Sequence, residues 1–238
     1  MKTAILISGH MRSFDRCLPN LAWMVFRHFP DADFFVSTVQ DEDAHKAELL
    51  RAKYPTAQVE IEAVKEQPQI ALPAGCPVEW VPGKPYTHEP YAISVPPQHV
   101  VAQLWQLNEC WNLFERERKH DYECVVRCRP DLWFHAFDAP PKTFARDAFV
   151  PAWGRFGGTN DRFAILGEHA AMHYFRTFTK IDMLWSEGCP IHPESLVAAS
   201  LGDGRSTVMT MRRCDFSTLR KNGEMRPPEV ISADMLAR

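Results

Sequence analysis

The sequence contains no run of 18 apolar residues, so nothing in it reads as a membrane-spanning helix. Met1-Lys2 leads straight into a strand-like segment, and no signal peptide is read there. Cys-x-x-Cys pairs are missing as well. The seven cysteines stand at 17, 76, 110, 124, 128, 189 and 214, most of them inside apolar periodic segments. That scatter argues against a zinc site and for reduced, buried thiols in a cytosolic protein. Positive charge is not in surplus: the net charge is −3, which gives no support for bulk nucleic-acid binding. Internal repeats and a clear dividing linker are also absent, so the 238 residues suit one substantial domain.

What is present reads as alternating strands and helices. Thr3 to Ser8 is a continuous apolar run, as expected of a strand buried on both faces of a parallel sheet. It ends in Ser8-Gly9-His10-Met11-Arg12-Ser13-Phe14, and Cys17, Leu18, Leu21, Met24, Val25 and Phe29 then recur at helical spacing. Pro19 suits that helix only in its first turn. Strand, turn and helix in that order present backbone N–H groups and a positive helix end to an anion, with Gly9, His10 and Arg12 in the turn. One glycine there makes neither a Walker loop nor a dinucleotide fingerprint. Asp33 to Thr38 predicts a second strand. Asp41 or Asp43 is placed to cap a helix running to about Tyr54. Val59, Ile61 and Ala63, alternating with glutamates, predict a third strand nearer an edge. Three strands joined by two helices predict right-handed crossovers and a parallel sheet, with ligands beyond the strands' carboxyl ends.

Residues 64–98 hold eight of the nineteen prolines and no period, which predicts a linker, a lid or a binding loop, or else an ordered surface excursion; Trp80, Tyr86, His88 and Tyr91 within it suit the faces of sugar rings in the first case and pack down in the second. A long helix is expected from Gln98 to Lys119. The segment that follows, Tyr122 to Leu132, is the most informative. Alternation puts Cys124, Val126 and Cys128 on one face and Val125, Arg127 and Arg129 on the other. Pro130 should stop or bend the strand. Arg127 and Arg129 need partners, either nearby carboxylates or a bound anion, with Asp131 placed to touch a metal ion or a sugar hydroxyl. Arg12, Ser37, Thr38, Arg127 and Arg129 would then converge at the carboxyl edge of the sheet. Downstream, Gly154 to Asn160 reads as a flexible bend, Asp161 to Leu166 as a strand, and Glu168 to Trp185 as a helix. His192-Pro193-Glu194 opens another helix, and Ser206 to Met211 is the expected last strand before a basic, frayed tail.

Ser-Gly-His-Met-Arg-Ser-Phe at 8–14, Asp33 to Thr38, Arg-Cys-Arg-Pro-Asp-Leu at 127–132, Asn-Asp-Arg-Phe at 160–163 and His192-Pro193-Glu194 together resemble a family of bacterial and viral glycosyltransferases associated with surface polysaccharide synthesis. The resemblance spans about residues 3–202 without the 64–98 loop, and Arg-x-Arg-Pro-Asp-Leu is its most specific part. It implies a GT-A-like α/β fold with helices on both faces of a mostly parallel sheet. Residues 1–63 and 98–132 would form a nucleotide-sugar half, and residues 133–238 an acceptor-side half. By the same resemblance Arg12 and Arg129 face a nucleotide diphosphate, and Asp131 stands near the metal-binding carboxylate. Where GT-A enzymes present Asp-x-Asp, this chain has Arg129-Pro130-Asp131, which puts a Mn²⁺ or Mg²⁺ requirement in doubt, since arginine can neutralise a diphosphate leaving group. An inverting mechanism needs a base for the acceptor hydroxyl, and Asp161 and Glu194 are the candidates; a retaining mechanism stays open.

The expected partners are therefore a nucleotide-sugar and a glycan or lipid-linked acceptor. Two other readings compete: a catalytically silent nucleotide- or glycan-binding protein, and another phosphate-handling transferase. Arg205, Arg212, Arg213, Arg220, Lys221 and Arg226 give the last 34 residues a basic cast. The expected location is cytoplasmic, with that segment either solvated or resting on anionic lipid at the inner face of the membrane.

Overall fold

The apolar run Thr3–Ser8 forms β1, with every residue buried. In the computed structural model, which describes residues 2–64, 71–76, 86–88, 91–93, 96–138 and 142–226, it lies inside a seven-stranded sheet. The chain continues through α1 (Phe14–Met24), β2 (Asp33–Val39), α2 (Leu49–Lys53), β3 (Val59–Val64), the short antiparallel pair β4 (Tyr86–His88) and β5 (Tyr91–Ile93), and α3 (Pro97–Glu117). It then runs through β6 (Cys124–Cys128), β7 (Leu132–Phe137), β8 (Asp147–Pro151), β9 (Phe163–Leu166), α4 (Glu168–Phe175), α5 (Ile181–Ser186), α6 (Pro193–Asp203), β10 (Thr207–Met211), β11 (Cys214–Leu219) and β12 (Met225–Arg226).

The large sheet has the order β10-β8-β9-β6-β1-β2-β3. Its pairs are parallel except those of β9, which runs against both β8 and β6. The first three strands are parallel, and β3 is at the edge, as its alternating pattern predicts. Helices cover both faces. One core packs α1 against Cys124, Val126 and Cys128 of β6; the other packs α3 to α6 against Val125 and its neighbours. Strand alternation thus assigns β6 correctly, and the strand stops before Arg129-Pro130 as expected.

A second sheet, β12-β11-β7, is antiparallel and docks on the first through aromatic contacts. Phe163 of β9 lies 5.1 Å from Phe134 and 6.4 Å from Phe216, ring centre to ring centre. The expected frayed tail is therefore a sheet up to Arg226: Cys214, Phe216 and Leu219 alternate inward and bury apolar surface that a solvated tail would expose. Residues 227–238 of the basic segment lie outside the described residues, as does Trp80 of the proline-rich loop.

Three local expectations differ. Pro19 sits past the first turn of α1, with its ring exposed. The helix after Asp41 is broken into a 3₁₀ turn (Ala44–Glu48) and five residues of α2, and neither aspartate caps it. Asp41 instead accepts from the N–H of Asp43 at 3.0 Å, while Asp43 pairs with Lys46 and Lys221. The stretch from Glu168 is likewise divided, with a 3₁₀ turn (Arg176–Lys180) between α4 and α5. The cysteines are all unpaired and six are buried; burial pushes the thiols of Cys17 and Cys110 up to about 12, where thiolate chemistry is suppressed.

Candidate functional site

Where parallel β1 and β6 end side by side, a polar cleft of about 860 Å³ opens at the carboxyl edge of the sheet. The turn after β1 forms one wall. Gly9 has φ +133°, and a Cβ there would stand 3.2 Å from the Pro130 ring, so only glycine fits against the bend after β6. Its N–H donates to the Ser37 carbonyl at 3.3 Å, and the N–H of Phe14 to Met11 at 2.9 Å. Those two N–H groups are spent on carbonyls of the protein itself. His10 holds Asp41 through Nδ1 at 2.8 Å. Arg12 is exposed and lines the cleft without a carboxylate partner among the described residues.

Ser37 and Thr38 do not reach the cleft. Both are fully buried in β2, where the Gly9 turn and Gln106 of α3 hydrogen-bond the Ser37 carbonyl. Their place at the strand end was legible, but not the turn folded over them.

The two arginines of β6 and its exit differ sharply. Arg127 is buried and points into the α3–α6 side, where its Nη1 donates to the carbonyls of Ser8 (3.2 Å) and Cys128 (3.0 Å). No carboxylate lies within ion-pair distance among the described residues, Nε has no partner, and burial lowers its pKa from the ordinary guanidinium value. Arg129 forms a fork on Asp131, Nε to Oδ1 at 2.9 Å and Nη2 to Oδ2 at 2.7 Å. Burial raises the Asp131 pKa, but the Arg129 charge and hydrogen bonds outweigh it, and the net shift is downward. The internal pair that the sequence allowed for is thus present at Arg129 and missing at Arg127.

That pair bears on a metal. Both oxygens of Asp131 are committed to a cation, and no group of three or more His, Cys, Asp or Glu side chains able to hold a metal ion occurs among the described residues. A divalent ion would have to compete with Arg129 for the Asp131 oxygens.

Behind the cleft lies a buried acidic pocket. Asp161 and Glu194 are each 4 % exposed, and neither lines the cleft. Gln103, which does line it, hydrogen-bonds Asp161 Oδ2 through Nε2. Oδ1 of Asp161 has no hydrogen-bond partner among the described residues and stands 3.8 Å from Arg162 Nε. Glu194 Oε2 is 3.2 Å from His192 Nε2, and burial lowers the His192 pKa despite the Asp161 charge. The bend from Gly154 is braced rather than flexible. Asn160 Oδ1 accepts the N–H groups of Arg162 and Phe163, its Nδ2 donates to the Trp153 carbonyl, and Tyr174 Oη donates to the Asn160 carbonyl at 3.0 Å. Gly158 is pressed so closely on the Glu194 backbone that a Cβ would meet its carbonyl oxygen at 2.1 Å.

Sequence reasoning missed the far wall. The turn between β11 and β12 brings Arg220, Lys221, Glu224 and Arg226 to the cleft. Asn222-Gly223 between strand-like residues is a hairpin signal that could have found it. Six cationic side chains (Arg12, Arg127, Arg129, Arg220, Lys221, Arg226) line the cleft against two carboxylates, Asp131 and Glu224. Lys221 is held by Glu42 and Asp43 outside it. The site thus carries surplus positive charge within a protein of net −3. The chain matches no protein-family model and no curated protein sequence. Among the described residues, no helix is long and apolar enough to cross a membrane.

Proposed function

We propose that the cleft binds a nucleotide-sugar and that the protein is a GT-A-like glycosyltransferase. One observation carries the reading: at the carboxyl edge of parallel strands, Arg12, Arg220 and Arg226 converge on one cleft with no ion pair of their own among the described residues. Unpaired guanidinium groups in a concave site suit a phosphorylated ligand, and sheet edges of this kind are where α/β proteins bind nucleotides. In the reaction the bond from the sugar's anomeric carbon to the phosphate oxygen breaks, and the nucleoside diphosphate leaves with the electron pair. The acceptor oxygen bonds to that carbon and loses its proton to a base. The arginines stabilise the charge that develops on the leaving group. Asp161 is assigned the proton, because its Oδ2 meets Gln103 on the cleft wall; Gln103 must turn aside for an acceptor to reach it. Glu194 acts from behind, its charge, like that of Asp161, favouring the cationic form of Arg129.

A second reading, a nucleotide-binding protein without turnover, is favoured by the commitment of both Asp131 oxygens and the burial of Asp161. Thermal shift with nucleotides and nucleotide-sugars, with and without Mn²⁺, combined with detection of released nucleoside diphosphate, separates the two. Stabilisation with slow release supports the transferase; tight binding with no release for any donor supports the silent protein. Transfer of a phosphoryl or nucleotidyl group would overturn both.

A further inference from the structure

The floor of the cleft offers fewer free donors than its charge suggests. Arg129 has given Nε and Nη2 to Asp131, and Arg127 is buried on backbone carbonyls. The uncommitted guanidinium groups are Arg12 on the near wall and Arg220 and Arg226 on the hairpin.

The hairpin backbone is tied down while those side chains stay in solvent. Ser13 Oγ donates to the Leu219 carbonyl at 2.7 Å, and the Leu219 N–H to the Asp131 carbonyl at 2.8 Å. Arg16 Nη2 donates to the carbonyls of Arg220 and Lys221 at 2.8 and 2.9 Å. Gly223 closes the turn at φ +89°, with Arg16 Nη1 3.3 Å from the place a Cβ would take. Arg220 is thus fixed at its root and free at its tip. Burial, and next the repulsion of Arg226, lower its pKa, an arrangement that a polyanion would relieve. A single phosphate can be satisfied by Arg12 and the remaining Nη1 of Arg129. A second phosphate needs further donors, and among the described residues the uncommitted guanidinium groups left for it are Arg220 and Arg226 of the hairpin.

We infer that the 219–226 hairpin is the element that distinguishes two linked phosphates from one: Arg220, supported by Arg226, binds the distal phosphate of a diphosphate ligand. The inference deepens the reading above and rests on it for the identity of the natural ligand, not for the subsite. Inorganic pyrophosphate and orthophosphate are base-free probes, to be measured by calorimetry on the full chain at fixed ionic strength. Pyrophosphate should bind the wild type at least tenfold more tightly. Arg220→Ala should weaken pyrophosphate at least tenfold and orthophosphate less than threefold, Arg220→Lys should recover part of the loss, and Arg226→Ala should show the same selectivity more weakly. Since both side chains are exposed, circular dichroism should show each variant folded. Equal weakening of both anions, or of neither, overturns the hairpin assignment. If pyrophosphate behaves as stated but no nucleotide or nucleotide-sugar binds, the subsite stands and the transferase reading falls. If a nucleotide-sugar is turned over and Arg220→Ala changes nothing, the reverse holds.

Discussion

Two charged regions lie back to back across Gln103, and they are built on opposite rules. The cleft is open, positive and carries more guanidinium groups than carboxylates; the acidic pair behind it, Asp161 and Glu194, is almost out of solvent. Charge exposed to water can remain unpaired cheaply, because solvent screens it, and is then available to a ligand. Buried charge must be satisfied by the fold itself, and the pocket shows how: Gln103 on Asp161, His192 on Glu194, and the long-range attraction of Arg129. Arg129-Asp131 sits at the boundary and belongs to both regions. The cleft thus keeps its charge at the surface, while the acidic pair behind it spends charge on internal partners.

The strongest way to break this division is Arg129→Ala. It removes a cleft donor and leaves Asp131 as a partly buried carboxylate without its partner, so about 1.5–3 kcal/mol of stability should be lost along with ligand affinity. Urea unfolding of this variant and of Arg129→Ala/Asp131→Ala decides: if the double variant is no more stable than the single one, the pair does not govern the boundary. Next in size, Asp161→Asn tests the proposed role of the pocket in proton transfer. Turnover should fall about 100-fold or more with donor binding little changed. An equal loss in binding would move Asp161 into the donor site.

Gly158→Ala sharpens the contrast from the structural side alone. A methyl driven into the Glu194 carbonyl should cost about 1–3 kcal/mol and leave phosphate affinity in the cleft within about twofold. Thermal unfolding and anion titration read the two effects separately. The smallest effect is in the pH dependence. The Asp131 pKa is lowered in the folded protein, so its contribution to stability is present above the usual carboxylate value of about 3.9 and lost as pH falls through the folded value. Stability of the wild type should therefore decline more steeply below about pH 4 than that of the double variant; parallel declines would mean that other carboxylates carry the acid limb.

Much of the frame was legible in the residues, because local pattern decides it. The buried run of β1, the alternation of β6, the edge position of β3 and the stop at Pro130 follow from periodicity and proline stereochemistry. The juxtaposition of Arg12 with Arg129 at one strand edge was legible too, through the parallel topology. What sequence could not give depends on tertiary contact. The bend ending at Asn160 reads as flexible, but the Asn160 side chain braces it. Ser37 and Thr38 lie at the right strand end but beneath a turn. Arg220 and Arg226 looked like a solvated tail because the partner strand that folds them back, β7, is about 80 residues earlier.

That last separation has a consequence for how the protein comes into being. Ser13 and Leu219 are joined across 206 positions of the chain, and Arg16 and Arg220 across 204. During vectorial synthesis the first strand, its turn and Arg12 leave the ribosome long before the hairpin exists. The parallel sheet can gather in the meantime, but the cleft has one wall. Closing so long a loop costs entropy that only the docked β11 edge and its few anchoring hydrogen bonds return. Ligand competence should accordingly emerge last in folding, after the sheet is protected from exchange, and a nascent chain stopped before Leu219 would carry Arg12 and Arg129 without the arginines of the hairpin.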